Sequence, residues 1–237
     1  MSIPLEKLNL RKNLLQQGYV CKRLNGNCIA LLVPSENGKN NFSRLSLRYE
    51  RQHKTSVKIA NKSKCNPECA KYRCEKALVV TIRKIPTGAT LEDVYDKFFK
   101  YETLLTASSQ YDKRFIYRVN NTVFDKMYED SDNVCTFGIH VFVNLEPAFY
   151  YSLNYLNYTG PFREWHDNGH QYKKYYINNG LINGPYIEWY ANGYKKEESY
   201  YVNSNLNGYR TFWNKNGTID KIYNFKYGVC CNPYKYN

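Results

Sequence analysis

Four residues recur three times at one fixed spacing in the last third of the chain. The segments "GPFREWHDNG", "GPYIEWYANG" and "GYRTFWNKNG" begin at Gly160, Gly184 and Gly208. Aligned without gaps they repeat every 24 residues. Trp165, Trp189 and Trp213 fall in register, as do Asn168, Asn192 and Asn216, and then Gly169, Gly193 and Gly217. Identities at a fixed period of this size mark stacked supersecondary units, because one unit alone cannot bury its apolar face. Asn-Gly between aromatic-rich runs is a strong hairpin signal, since both residues tolerate positive φ. Each unit therefore reads as strand, Asn-Gly turn, strand, then a second turn in "NNGLING" or "NSNLNG". Stacked units predict a ladder of Trp and Tyr rings, with Gly160, Gly184 and Gly208 allowing close backbone approach. In this reading the repeated tryptophans and glycines are scaffold rather than chemistry.

No such period precedes Asn154. "LEKLNLRKNLL" spaces Leu5, Leu8, Leu14 and Leu15 helically, and Gly18 suits a helix stop. "CIALLVP" and "ALVVTI" (77–82) read as short buried strands. "TLEDVYDKFFKYE" (90–102) opens on a Thr cap with acids in its first turn and predicts a helix. "FIYRV" and "GIHVFV" alternate as strands, and "LEPAFYYSLNY" (145–155) reads as another helix. The expectation is an α+β domain over 1–154, followed by an all-β hairpin ribbon with a short tail over 155–237.

The repeat resembles the MORN family in its "G-x-Y-x-x-W-x-x-N-G" variant, over about residues 155–229. The third unit departs from it: "TIDKIYNFKYG" lacks the "YY" doublet, as a terminal capping repeat would. Upstream, "NPECAKYRCEKALVV", "ASSQYDKRFIYRV" and "CTFGIHVFVNLEPAFYY" resemble an uncharacterised domain of giant DNA viruses of amoebae, where it is fused to such repeats. "SRLSLRYERQHK" falls where that domain has its basic segment. The resemblance implies a viral MORN-repeat protein and a ribbon that serves as a protein-interaction scaffold, sometimes linked to membranes. Similar bacterial arrays are annotated antitoxin-like. None of these roles requires catalysis.

Charge is uneven. Residues 1–80 hold 16 Lys/Arg against 5 acids, residues 81–154 hold 8 against 10, and residues 155–237 hold 10 against 6, which gives +13 in total. The surplus therefore belongs mainly to the first third. Arg44, Arg48, Arg51, Lys54, Lys58, Lys62 and Lys64 cluster there with interleaved apolar residues, a pattern suited to a phosphate backbone or another polyanion. A solvated basic face explains them equally well. No nucleic-acid motif accompanies them.

Cys135 and His140 in "CTFGIH", with Ser108, Ser109, Tyr111 and Asp112 of "SSQYD", form the candidate catalytic or ligand-binding set. A thiol nucleophile needs a base within reach and a third group to orient it. Without that group, Cys135 reads better as a small buried hydrophobe and His140 as a packed polar residue. Cys65, Cys69 and Cys74, with His53 upstream, are weak zinc candidates, since their C-x3-C-x4-C spacing is followed by no second pair of ligands close by. Cys230 and Cys231 are adjacent and open to acylation, but no amphipathic helix flanks them. Eight cysteines in a chain of this length, with charges where a signal peptide has its apolar region, lead us to expect reduced thiols and no secretion. The setting implied is host-cell cytoplasm or virion. The leading expectation is a scaffold that binds a viral or host protein, possible contacts with nucleic acid or an anionic membrane surface being secondary. The alternatives are an enzyme or ligand-binding domain at the Cys135–His140 region and a nucleic-acid binder through residues 39–64.

Overall fold

A computed structural model describes residues 2–42, 67–129 and 136–234. They fall into two compact units, one ending at Leu153 and one running from Asn154.

In the first unit the strands are β1 (Val20–Leu24), β2 (Cys28–Pro34), β3 (Lys71–Cys74), β4 (Lys76–Lys84), β5 (Thr106–Ser108), β6 (Ile116–Arg118), β7 (Thr122–Phe124) and β8 (Ile139–Phe142). Two short helices join them, α1 (Leu91–Lys97) and α2 (Leu145–Tyr150). Six strands make one sheet in the order β3-β8-β1-β2-β4-β7, and β5 pairs β6 separately. Every pairing is antiparallel.

The α+β expectation for residues 1–154 is therefore overturned. Strand makes up 45% of the structure and helix 12%, and the sheet curls into a half-barrel. Local hydrogen bonding shows why one expected helix fails. Asn13 Oδ1 accepts from the Leu15 amide, and Gln17 Oε1 accepts from the Asn9 amide. The Leu14 amide donates to Val143 O at 2.7 Å. Side chains and a neighbouring strand thus take the amides a helix needs, and only the 3-10 turns Leu5–Lys7 and Leu15–Gln17 remain. The second expected helix does form as α1, held by a capping box. Asp93 N donates to Thr90 Oγ1 at 3.2 Å while Thr90 N donates to Asp93 Oδ2 at 3.0 Å. The third, α2, ends at Tyr150 rather than near 155.

The hairpin β1–β2 turns through Asn25-Gly26-Asn27, with Gly26 and Asn27 at φ 70° and 61°. It forms the middle of the sheet. Val20, Leu24, Ala30, Leu32, Val79 and Val141 interlock in the main core, with Tyr117 closing it from β6. Burying such side chains stabilises the unit by roughly 1.5–3 kcal/mol each before entropy is counted.

The second unit is a nine-stranded antiparallel sheet. Its long hairpins are β9 (Gly160–Trp165) with β10 (Gln171–Asn178), β12 (Gly184–Trp189) with β13 (Lys195–Val202), and β15 (Gly208–Trp213) with β16 (Ile219–Lys226). The two-residue strands β11 (Leu181–Ile182) and β14 (Asn205–Leu206) lie between them, and β17 (Val229–Tyr234) closes the edge.

The repeated Asn-Gly is a three-residue loop, not a two-residue turn. Gly169 N donates to His166 O and His166 N to His170 O, both at 2.8 Å. Gly169 has φ 83°, whereas Asn168 is not among the positive-φ residues, and a register shift follows at Gln171/Lys173. That is a type I turn closed by a left-handed glycine and a bulge. The turn with two left-handed residues is the other one: Asn179-Gly180, then Asn203-Ser204, then Tyr227-Gly228.

Asn168, Asn192 and Asn216 earn their register through their side chains. Each Oδ1 accepts from the amide two residues on, at His170, Tyr194 and Thr218. Asn168 Nδ2 donates to Ala191 O at 2.8 Å and Asn192 Nδ2 to Lys215 O at 2.9 Å. Beside them, the His166 ring Nε2 meets Trp189 O at 2.8 Å, and Tyr190 OH donates to Trp213 O at 2.9 Å. The first and second turns are thus each tied to the next unit's turn. The ring ladder runs through Phe162, Tyr175, Tyr186 and Tyr201, at centroid spacings of 4.7, 5.3 and 5.7 Å. Trp189 is buried, whereas Trp165 and Trp213 are half-buried.

Candidate functional site

Two surfaces gather polar chemistry, one in each unit. In the first unit, β1 and β8 share a single register pair, Cys21↔Phe142. Beyond it the strands part, and Lys22 Nζ, rather than a backbone amide of β1, reaches His140 O at 2.8 Å. The cleft left there is lined by Lys22, Arg23, Lys71, Ser109, Tyr111 and His140, with Gln110, Phe142 and Tyr151 completing the wall. Its free volume of about 10 Å³ is roughly room for one water-sized group.

Among the described residues, three cations and no carboxylate line the cleft. Lys22 and Arg23 are only 8% and 3% exposed. Burial pulls the Lys22 ammonium down to about 8, with the Cys74 thiol opposing and Lys71 adding slightly. Burial likewise pulls Arg23 down to about 10. Lys22 also lies 5.7 Å from the Tyr117 ring centroid. Arg23 Nη2 donates to the Asn27 side-chain oxygen, while its Nε and Nη1 are buried with no hydrogen-bond partner among the described residues. At the rim, the Tyr111 and Tyr151 hydroxyls are hydrogen-bonded to each other, and Tyr111 is 78% exposed.

Of the candidate set from "SSQYD" and "CTFGIH", Ser109, Tyr111 and His140 line this cleft. Ser108 sits beside it on β5, where Asn25 Nδ2 donates to its Oγ at 3.4 Å. Asp112 is not among the lining residues; it is ion-paired to Arg114 at 3.0 Å, and this partner lowers its carboxyl below the usual range. Cys135 lies outside the described residues, as do Cys65, Arg44, Arg48, Arg51, Lys54, Lys58, Lys62 and Lys64. Cys69 and Cys74 are both buried, and burial pushes the Cys74 thiol up to about 12. Among the described residues no three His, Cys, Asp or Glu side chains gather as a metal site. None of the helices described is long and apolar enough to cross a membrane.

Sequence reasoning missed Lys22, Arg23 and Lys71. The signal available was "YVCKRL", a Lys-Arg pair inside a run that otherwise reads as a buried strand and leads into Asn-Gly-Asn. Two adjacent cations in such a run must either escape the core or be held in it for their charge.

In the second unit, a groove of about 600 Å³ crosses the ribbon. The first repeat supplies His166 and Tyr172, the second Glu188, Trp189, Tyr190, Asn192 and Lys196, and the third Lys215. Glu188 is buried and ion-paired with Lys196 at 2.5 Å. Lys215 is exposed, its Nζ 6.0 Å from the Tyr190 ring centroid.

Among models of protein families, that of DUF5758, described as a family of unknown function, matches residues 20–148, which is 129 of the 237 residues and runs from β1 into α2. No curated protein and no solved structure matches the chain.

Proposed function

The chain belongs to the DUF5758 family, which carries no known function, and from its surfaces we propose that it is a non-catalytic interaction protein whose ribbon binds a partner protein. The observation that carries this reading is the groove to which three successive repeats contribute. Its volume, about 600 Å³, has room for several side chains, and a lining drawn from three successive repeats suits an extended partner segment. The half-buried Tyr172 and Tyr190 offer the amphipathic aromatic area typical of energetic anchors at interfaces. Lys196 and Lys215 lie beside them, and residues 155–237 carry 10 Lys/Arg against 6 acids. A partner segment with carboxylates flanking an apolar or aromatic residue fits that chemistry.

The resemblance of residues 155–229 to MORN arrays supports the same role. From the resemblance upstream we read the partner as a viral or host protein, met in host-cell cytoplasm or in a virion. The test is affinity capture from infected and uninfected cell extract, with the full chain and with the double variant Tyr172→Ala/Lys215→Glu as baits. Neither substitution removes a donor or acceptor of the hydrogen bonds that tie the turns together, although Tyr172 packs on the His166 ring at 4.7 Å. The expected result is a protein retained by the natural chain and lost from the variant at an unchanged melting temperature. An identical set of captured proteins on both baits would refute the reading.

A further inference from the structure

We propose that the joint between the first and second repeats is an acid-sensitive hinge, shut near neutral pH and opened when His170 takes up a proton, and that its opening takes the ribbon groove apart. The two joints of the ribbon share one design. Across the first, the His166 ring Nε2 meets Trp189 O at 2.8 Å; across the second, Tyr190 OH donates to Trp213 O at 2.9 Å. Under Gly193 lies the His170 ring, its Nδ1 2.8 Å from where a Cβ would stand. Under Gly217 lies the Tyr194 ring, its Cδ1 at the same 2.8 Å. His166 and His170 thus stand where the next repeat, 24 residues on, has Tyr190 and Tyr194. The packing is alike, and only the first joint is built on imidazoles, whose charge changes between about pH 5 and 8.

The shut joint has no place for a second proton on His170. His166 Nε2 faces a carbonyl oxygen, so its hydrogen stays bonded whether the ring is neutral or charged. His170 Nδ1 is buried against Gly193 and has no hydrogen-bond partner among the described residues. A neutral ring leaves that nitrogen bare, whereas a charged ring puts a buried donor there with nothing to accept from it. Burial, and after it the charge of His166, holds the His170 imidazolium below its ordinary 6.5. Other charged groups of the ribbon are committed or of the same sign. Asp167 shares the loop but is no acceptor for Nδ1, and Glu164 and Lys173 face each other across the first hairpin. Glu188 is paired with Lys196 on the second, and Lys215 of the third is a further cation.

An opened joint exposes Nδ1 to water, where it binds a proton at the ordinary value. Below about 6.5 the open form therefore holds more protons than the shut one, and closure weakens as pH falls. Above that both forms are neutral and closure is undiminished. His166 lines the groove together with Trp189, Tyr190 and Asn192 of the second repeat, so the groove needs the joint shut. That opening frees a partner rests on the groove being a partner site; the hinge itself does not.

Hydrogen exchange read by mass spectrometry on the full chain, at about pH 7.5 and 5.5, tests the hinge, with the second joint as reference in the same sample. Matching amides close the two loops, Gly169 N on His166 O and Gly193 N on Tyr190 O. Each loop is compared with an unfolded peptide of its own sequence. Exchange of loop 166–170 relative to loop 190–194 should rise by about threefold or more on acidification. His170→Tyr, which copies Tyr194, should abolish the rise. Tyr194→His should make the second loop acid-sensitive in turn, and it decides the matter should His170→Tyr not fold. A ratio unmoved by pH in the natural chain, the same rise in His170→Tyr, or no response in Tyr194→His would each overturn the hinge. A protein captured at about pH 7.5 should elute at about pH 5.5 from the natural chain and stay on His170→Tyr. One that stays on the natural chain while the exchange ratio rises would overturn the loss of the groove. Capture of nothing at the higher pH would sink the groove as a partner site, with the exchange ratio still deciding the hinge.

Discussion

Replacing Lys22 by Met tests whether a charge is held inside the first unit at a cost. Lys22 is 8% exposed, and burial lowers its ammonium from 10.5 to about 8, with the nearby Cys74 thiol opposing the fall and Lys71 adding to it. Below about pH 8 the lysine is protonated in both folded and unfolded chains. The folded state then bears the full penalty, on the order of 3 kcal/mol for a gap of this size. Between about 8 and 10.5 the folded state binds fewer protons than the unfolded one, so stability from this group rises with pH. Above 10.5 both states are neutral and the penalty is gone. Met has no such term, but it forfeits the hydrogen bond to His140 O, about 1–2 kcal/mol. Lys22→Met should therefore be stabilising by about 1–2 kcal/mol at pH 7 and neutral or destabilising at pH 10, a swing of about 2–3 kcal/mol. Urea denaturation of both proteins at the two pH values measures it, since the tyrosines and the cysteines other than Cys74 titrate in both and cancel in the difference. A gap between the proteins that stays constant to within about 0.5 kcal/mol would show that Lys22 bears no desolvation penalty when folded.

The ribbon yields two sharper comparisons. In Gly193→Ala the new Cβ lies 2.8 Å from His170 Nδ1 on a backbone at φ 84°, whereas in Gly184→Ala it meets nothing within 4 Å at φ 90°. Thermal denaturation should show the first variant less stable by roughly 2–3 kcal/mol and the second by about 1–2, from backbone strain alone; equal losses would mean that the ring beneath Gly193 yields freely. Asn192→Asp keeps the acceptor for Tyr194 N but removes the donor to Lys215 O, whereas Asn216 makes no such bond onward. Asn192→Asp should cost about 1–2 kcal/mol and Asn216→Asp close to zero, and the reverse order in denaturant midpoints would refute the turn-to-turn tie.

The period of 24 residues was legible because it depends on contacts between neighbours in sequence, each of which repeats the same residues. Its detail was less so. Asn-Gly at 168–169 and Asn-Gly at 179–180 are the same dipeptide, yet only the second has both residues left-handed. Loop length and the bulge after it decide this, and the dipeptide carries neither. The tryptophans drew attention by rarity, while the ring ladder was built from Phe162, Tyr175 and Tyr186. In the first unit, Leu5, Leu8, Leu14 and Leu15 mimicked a helix because their spacing ignores where Asn9, Asn13 and Gln17 send their side chains. Strand β1 was missed although Asn25-Gly26-Asn27 announced its hairpin, since Lys22 and Arg23 break the apolar run. Those two residues are the ones on which the cleft depends. Ser109, Tyr111 and His140 could be singled out by motif, but what brings Lys22 to His140 is a contact across 118 positions, and no local pattern encodes it.

The turn-to-turn ties have a direction. His166 and Tyr190 each hand a hydrogen bond forward to the following unit, whereas Asn214, at the same place in the third, turns back to Thr218 Oγ1 at 3.1 Å. His170 and Tyr194 each lay a ring under the next glycine, and the third unit offers Thr218 instead. The last repeat thus acts as a stop codon written in side chains: it receives but does not transmit. Duplication of an interior unit would preserve these ties, and duplication of the third unit would not. A second copy of residues 184–207 would find a matching giver before it and a matching receiver after it, whereas a copy of the third unit appended at the end would arrive with nothing held out to it.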